Sequence, residues 1–341
     1  MVGRDIRTNA YLTEVFPEME PAPVGLPADP IAEVEGACAA LPPGRWVLAI
    51  SGGRDSMALL TAMTRMRRRE LAAVATFDHG TGAAATAACD LAEAVATAAG
   101  VPVRRGRGSG GRGSEAAWRA ARYRFLNRVT GELGARLVTA HTEDDQIETV
   151  LLRLLRGSGV RGLAGMLAAS GPARPLLSVS RAEVDEYVRL RSVSFVDDPS
   201  NARPDFLRNR VRHELLPAFE RSAPGFRGWC RDLGWRAAAW RRDVEALVDA
   251  MGIVEVGRGA VAVPASAVEG CPETAGAVLW PALAARAGIV MDRRGIARAS
   301  AWAPRARAGQ RIPLSGGARL ERTAATFVLR GTPDGPQDYI E

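Results

Sequence analysis

The chain has 341 residues, 47% of them hydrophobic and 24% charged, a composition that excludes a disordered or fibrous protein and leaves room for two globular cores. All 45 basic residues are Arg and the formal net charge is +7, so a polyanionic partner is expected. Cys38, Cys89, Cys230 and Cys271 form no CxxC pair, which argues against a zinc or iron-sulfur site and for inert thiols in a reducing compartment. No apolar run reaches the length of a membrane span and no signal-peptide core opens the chain, so a soluble, cytoplasmic protein without a membrane partner is expected.

Residues 1–30 hold five prolines without periodicity and read as a loosely ordered leader. An amphipathic helix over Ile31–Leu41 ends at Pro42-Pro43-Gly44. Trp46-Val47-Leu48-Ala49-Ile50 is a short apolar run of buried-strand type, and Met57-Ala58-Leu59-Leu60 opens a helical pattern that continues to about Arg69. Between them lies Ser51-Gly52-Gly53-Arg54-Asp55-Ser56. Two glycines allow close backbone approach, and serines with free helix-start amides offer donors to a phosphate. No Lys follows, so this is not a Walker loop. Asp55 inside the loop would repel bound phosphates unless a divalent cation lay between them, which implies Mg²⁺ held by Asp55.

A second strand is read at Leu71–Phe77, followed by Asp78-His79-Gly80, where His79 either faces a base or ribose or caps a turn. Strand, helix, strand in this order indicates an open parallel sheet. After an Ala-rich helix over Ala83–Ala99, Val101-Pro102-Val103 reads as a third strand and Arg104–Gly113 as a mobile basic loop, either a cover for nucleotide or RNA or a plain connector. The helix from Glu115 carries Arg119, Arg122 and Tyr123 within one turn, and the eight Arg between Arg104 and Arg128 suggest a phosphate-facing surface. Leu137–Ala140 is the fourth strand, followed by His141-Thr142-Glu143-Asp144-Asp145-Gln146-Ile147-Glu148-Thr149, a helix start with Thr142 as N-cap. The spacing puts Asp144, Asp145 and Glu148 on one side of the first turns, a set that could hold Mg²⁺, accept a proton or bind an ammonium.

Arg203, Arg208, Arg210 and Arg212 form a basic run with Asn201 and Asn209 and read as a substrate-facing hinge. A long helical stretch over Phe219–Ala250 carries Trp229, Trp235 and Trp240, whose helical spacing favours a core role over base stacking. Residues 254–330 read as a hairpin, one or two helices and a closing strand pair, and the tail after Gly331 as disordered.

SGGRDS resembles the SGGxDS pyrophosphate loop of the N-type ATP pyrophosphatases, and HTEDDQIET resembles the HxxDDQxET element of the tRNA(Ile)-lysidine synthases. Leu152–Gly159, Gly162–Met166, Arg174-Pro175-Leu176-Leu177, Asp197–Asn201, Arg208–Arg212 and Leu215-Leu216-Pro217 extend the similarity over Trp46–Pro217. The family's HGLR arginine is missing, since Thr81-Gly82 follows His79-Gly80. The resemblance implies an α/β fold: a Rossmann-like PP-loop domain of the adenine nucleotide alpha hydrolase type over 31–217, a helical linker over 218–250, a smaller α+β tRNA-binding domain over 251–331 and a tail over 332–341. It implies ATP-dependent ligation of lysine to carbon-2 of the wobble cytidine of the CAU-anticodon isoleucine tRNA, through an adenylate. ATP and pyrophosphate contacts are implied for Ser51, Gly52, Gly53, Arg54, Asp55, Ser56, His79, Arg122 and His141, catalysis for Asp55, Asp145 and Glu148, lysine contacts for Asp144, Asp145 and Glu148, and tRNA contacts for Arg203, Arg208, Arg210 and Arg212. The expected cofactors are ATP and Mg²⁺, and the expected partners are the tRNA, free lysine and, as an open alternative to a monomer, a second copy of the chain. Competing readings are a PP-loop tRNA thiolase, disfavoured by the lack of paired cysteines, and a non-catalytic RNA-binding paralogue, disfavoured by the intact loop and acids.

Overall fold

The computed structural model describes residues 29–80, 82–108, 115–168, 171–197, 207–257 and 259–332. The expected leader up to residue 28, Arg203 with its neighbours in 198–206, the tract over 109–114 and the tail from 333 lie outside the described residues. Two compact units divide between Trp235 and Arg236.

The first unit starts with α1 (Pro30–Ala39), where Asp29 accepts a hydrogen bond from the Ile31 amide and Pro30 presets the first turn. Then come β1 (Trp46–Ala49), α2 (Arg54–Arg67), β2 (Leu71–Asp78), α3 (Ala83–Ala98), β3 (Val103–Arg107), α4 (Glu115–Leu133) and β4 (Arg136–Val138). The four strands are parallel in the order β3-β2-β1-β4. The chain builds outward from β1 to β3 and then returns to the far side of β1, so the strand order reverses between β1 and β4. A crevice opens at such a reversal, outside the carboxyl ends of the strands. The two motif loops, after β1 and after β4, are brought side by side there.

Strand alternation explains the two layers. Trp46, Leu48 and Ile50 pack on one side with Leu59, Leu60 and Met63 of α2 and Val34 of α1, whereas Val47 faces Tyr123, Phe125 and Leu126 of α4. At about 25 cal/mol per Å² of apolar surface removed from water, these two faces supply the main stabilising term of the unit.

The third strand differs from expectation. It runs through Arg104, Arg105 and Arg107, pairs Val103–Arg107 with Val74–Asp78, and uses as an edge strand the residues expected to start a mobile loop. Its arginines are tolerated because they point outward, and Gly106 is needed because a Cβ there would lie 2.7 Å from the rings of both Phe77 and Phe125. The arginines of this region are also not all available to phosphate: Arg105 pairs with Asp90 at 2.6 Å and Glu93 at 3.3 Å.

After β4 follow α5 (Glu143–Leu155), α6 (Val160–Leu163), α7 (Arg181–Leu190), α8 (Leu207–Arg210), a π-helical turn (Val211–Leu215), α9 (Leu216–Ser222) and α10 (Phe226–Ala250). The expected single stretch from Phe219 to Ala250 is therefore two helices, separated where Gly225 takes φ +92°. Trp229 and Trp235 correct another expectation: they are 37% and 41% exposed, because Cys230, Leu233 and Ala237 occupy the buried stripe of α10. Trp240 alone joins a core as expected, that of the second unit.

The second unit holds β5 (Val254–Glu255), β6 (Ala260–Pro264), α11 (Glu273–Arg286), α12 (Arg293–Trp302), β7 (Arg311–Pro313), β8 (Arg319–Arg322) and β9 (Thr326–Arg330). The sheet is antiparallel, in the order β5-β6-β9-β8-β7. The expected hairpin and closing strand pair are present; β7 is additional, too short and too polar to read from pattern. Trp280 and Trp302 both meet the edge of Phe327, at 5.6 and 6.1 Å between ring centroids, in a core with Val261, Leu283 and Leu320.

Candidate nucleotide and substrate site

The loop after β1 is shaped to receive an anion. Gly52 takes φ +85°, and a Cβ on it would fall 2.2 Å from the Ala88 carbonyl oxygen, so glycine is required by both backbone and space. Gly53 differs: its φ is −79°, and a Cβ would meet only Ser51 Oγ, at 3.7 Å. The space above Gly53 is open. Gly53 is the N-cap of α2 and provides no side chain to satisfy the first amides, which are left as donors at the positive end of the helix.

The serine hydroxyls are largely committed to the loop itself. Ser56 Oγ donates to the Gly53 carbonyl at 2.8 Å and accepts from Ser51 Oγ at 3.2 Å. The Arg54 side chain leaves the cradle altogether, pairing with Asp185 at 2.7 Å and Asp197 at 3.7 Å and lying 5.1 Å from the Phe195 ring. Only its backbone amide belongs to the cradle.

Asp55 faces the crevice. Burial pushes its carboxyl up to about 6; Asp145 and Asp185 add to the rise, while Arg181 and Arg212 oppose it. Asp55 and Asp145 thus feel each other's charge across the strand reversal. A carboxyl raised in this way is one that a cation would return to its ionised form. Among the described residues no group of three or more acidic, His or Cys side chains could hold a metal. One carboxylate plus substrate phosphates is, however, the usual set for Mg²⁺, so the residues present fit that ion.

The second motif lies across the crevice on the first turns of α5. Thr142 caps the helix in a reciprocal box with Asp145, whose Oδ2 accepts from the Thr142 amide at 2.9 Å. Asp145 Oδ1 receives Arg208 at 3.1 Å and Arg212 at 3.2 Å. Glu148, 1% exposed, receives Arg212 at 2.5 Å on Oε1 and 2.9 Å on Oε2, and Arg208 at 3.0 Å. Burial alone would raise Asp145, but Arg208, His141, the Thr142 amide and Arg181 hold it below the usual carboxylate range. Asp144 is directed elsewhere, accepting from the Arg181 amide at 2.7 Å and pairing with Arg227. The three acids are therefore two and one, rather than a single cluster.

The same geometry sorts the basic run. Arg208 and Arg212 are four apart and share a helix face, while Arg210 points away, exposed, toward Glu214 at 3.6 Å. The π-helical turn begins between them, at Val211.

His79 and His141, each at the end of a parallel strand, both lie within the electrostatic reach of Arg122. Burial lowers His79 and Arg122 lowers it further; His141 is likewise lowered by burial, against the pull of Asp145, with Arg174, Arg208 and Arg122 adding to the effect. Both rings are accordingly neutral at pH 7. His141 Nδ1 lies 2.9 Å from Thr139 Oγ1, and the His79 ring packs edge-on against Phe77 at 5.0 Å.

Two contributors, Arg181 and Asp185, were missed by sequence reasoning, and Gln146 was read as part of the motif without its role. Arg181, 3.8 Å from Asp145, and Asp185 both act on Asp55, and Gln146 is a clamp: its Nε2 donates to Ala164 O at 3.1 Å and its Oε1 accepts from the Met166 amide at 2.8 Å. Gly165 and Gly234 are the glycines against which it packs, where a Cβ would lie 2.5 and 2.8 Å away. Arg181 and Asp185 carry no local signal, since only tertiary folding brings α7 to the loop.

A parallel sheet with a strand-order reversal, a glycine cradle and an acid facing it define a nucleotide-binding protein of PP-loop type. The PP-loop domain model matches residues 31–219. Curated tRNA(Ile)-lysidine synthases are similar: that of Thermobifida fusca is 39% identical over 77% of this chain and 85% of its own length. Those of Rhodopseudomonas palustris and Salinispora tropica are 42% and 46% identical over 60% and 53% of the chain. The chain belongs to the tRNA(Ile)-lysidine synthase family of PP-loop proteins. It spans 62% and 58% of the length of the latter two relatives. A U34-tRNA thiolase of Methanococcus maripaludis, solved with its [4Fe-4S] cluster, shares the fold with TM-score 0.50 at 16% identity, over 62% of this chain and 78% of its own. None of the described helices is long and apolar enough to cross a membrane.

Proposed function

We propose that this chain ligates free lysine to carbon-2 of the wobble cytidine in the CAU-anticodon isoleucine tRNA, consuming ATP and releasing AMP and pyrophosphate in the cytoplasm. The observation that carries this reading is the approach of Asp55, in the phosphate cradle, to the Asp145–Glu148–Arg208–Arg212 cluster across the strand reversal, in a chain of this family.

In the first step the cytidine O2 attacks the α-phosphorus of ATP, the bond to the β-phosphate breaks, and pyrophosphate leaves along the cradle. The amides at the start of α2 hold the departing anion. Asp55 would hold Mg²⁺, which when bound supplies neutralisation of phosphate charge. The neutral rings of His79 and His141 and the charge of Arg122 border the nucleotide without adding a second anion.

In the second step an uncharged lysine amine attacks carbon-2, the carbon–oxygen bond to the adenylate breaks so that AMP leaves with that oxygen, and the amine proton passes to solvent. Asp145 and Glu148, with Arg208 and Arg212 interleaved, match a zwitterion, ammonium against the acids and carboxylate against the guanidiniums. Asp145, with its depressed pKa, suits holding an ammonium better than accepting a proton. Asp144 contributes indirectly through Arg227 and α7, and Arg210, outside the cluster, is the member of the run among the described residues left to meet tRNA phosphate. The lack of CxxC disfavours sulfur transfer; Cys38 and Cys230 are buried, which pushes both thiols up to about 12, away from nucleophilic thiolates.

The test is incubation with ATP, Mg²⁺, labelled lysine and an unmodified transcript of this tRNA, following label in RNA together with AMP. Incorporation abolished by changing the wobble cytidine supports the reading. AMP without label in RNA points to another nucleophile, and neither signal points to an RNA-binding protein without catalysis. Formation of AMP by Asp55→Ala at the wild-type rate would remove Asp55 from the activation step.

A further inference from the structure

We propose that the cavity under Trp235 is a subsite for one unstacked base of the RNA substrate, held by stacking on the indole and by Arg174. The cavity, about 260 Å³, is lined by Met166, Ala168, Pro175, Leu177 and Arg174, with Trp235 at its edge. That is a volume for a flat heterocycle, and the lining is mixed, apolar side chains alternating with polar surface that includes the Arg174 guanidinium and Ser178.

Three observations select a nucleobase as the occupant. First, Trp235 is 41% exposed although its helix has a buried stripe one turn away, so the indole is presented rather than packed. An exposed indole beside arginines is the surface on which unpaired bases stack. Second, Arg227, Arg231 and Trp235 follow one another at four-residue spacing along α10, and the two arginines dock on Asp144 and on Glu143 at 3.7 Å. The row therefore begins at the first turn of α5, beside Asp145. Third, Arg174 belongs to both places: it lines the cavity, donates to the Met166 carbonyl at 3.0 Å, and disfavours protonation of His141. The cavity is thus the next stop for a strand whose reacting nucleotide sits at the acid cluster.

The walls are also held in place. Gln146 binds the Ala164 carbonyl and the Met166 amide on one side and packs against Gly234 on the other, so the floor of the cavity and the residue preceding Trp235 share one anchor. A preformed slot of this kind stacks a base with little ordering of protein.

The inference rests on the proposed RNA substrate, and binding can be read apart from chemistry. The experiment measures the Kd of a fluorescent anticodon stem-loop by anisotropy, and the KM for tRNA, lysine and ATP, for wild type, Trp235→Ala, Trp235→Phe and Ala168→Trp, which fills the cavity. Loss of one stacked base is expected to weaken RNA binding about tenfold in Trp235→Ala and in Ala168→Trp, with Trp235→Phe in between and the KM for lysine and ATP unmoved. A rise in the KM for lysine with unchanged RNA binding would make the cavity an amine pocket and overturn the proposal, as would RNA Kd values equal to wild type in all three variants. If wild type binds the stem-loop through Trp235 but incorporates no lysine, the subsite stands and the ligase reading falls.

Discussion

Asp55 is the residue whose chemistry and stability pull in opposite directions. Its carboxyl is raised from an ordinary 3.8 to about 6, so the native state holds the proton more tightly than the unfolded chain. The folded protein therefore loses stability as pH rises from about 4 to about 6, and the full penalty is present above that window. Asp55→Asn is expected to be more stable than wild type at pH 8, by on the order of 2–3 kcal/mol for a displacement of about two pKa units, and equal to it below pH 4. Urea unfolding at the two pH values checks this, and saturating Mg²⁺ with ATP should close the gap while the variant makes no AMP. Arg212 behaves oppositely. Arg212→Ala leaves Glu148 buried with Arg208 as its remaining partner among the described residues, and a loss of about 2 kcal/mol is expected, partly recovered in the double variant with Glu148→Gln. Denaturant midpoints of the three proteins decide it, and failure of the double variant to recover would show that the guanidinium packs rather than neutralises. The placement of Ser51 and Asp55 in the loop before α2, and of Asp145 and Glu148 on one side of the first turns of α5, was legible from residue type and spacing alone. That Arg208 and Arg212 serve the acids while Arg210 does not was not legible. An alternating charge run has no face until the helix and its π-helical turn assign one.

At the scale of elements, the loop between β1 and α2 contains two glycines that look alike in sequence and do different work. Gly52→Ala places a Cβ 2.2 Å from a backbone oxygen at φ +85°, so a melting temperature several degrees lower is expected, with activity lost as a consequence. Gly53→Ala meets only Ser51 Oγ at 3.7 Å, so its melting temperature should stay near wild type while ATP binding weakens, because the methyl group enters the phosphate space. Thermal melts and ATP titration of the pair separate fold from ligand; equal melting temperatures would refute the distinction. The elements with strong apolar periodicity, α2, α5 and the strands β1 and β2, were legible within a residue or two. The arginine strand β3 was not, since backbone pairing with β2 and the phenyl rings around Gly106 outweigh its polar composition. Nor was the presentation of Trp229 and Trp235, because helical spacing indicates that a face exists but not which face turns inward.

At the scale of the whole molecule, two units each carry a separate apolar core, one around Leu48 and Leu60, the other around Trp280 and Phe327. Residues 236–332 are accordingly expected to fold when expressed alone, with a cooperative thermal transition and dispersed amide resonances; a fragment that melts without cooperativity would show that its core is incomplete. The amino-acid sequence by itself determined the strand-loop-helix cradle, the acid-rich helix start and the order in which they occur, because backbone geometry, capping and hydrophobic period act between neighbours along the chain. Only the tertiary structure decided that β4 lies beside β1, that Asp55 and Asp145 share one electrostatic field, that two arginines from beyond residue 206 neutralise Glu148, and that Trp235 edges a cavity. These relations join residues far apart in the chain, and they are set by the packing of elements rather than by any local preference.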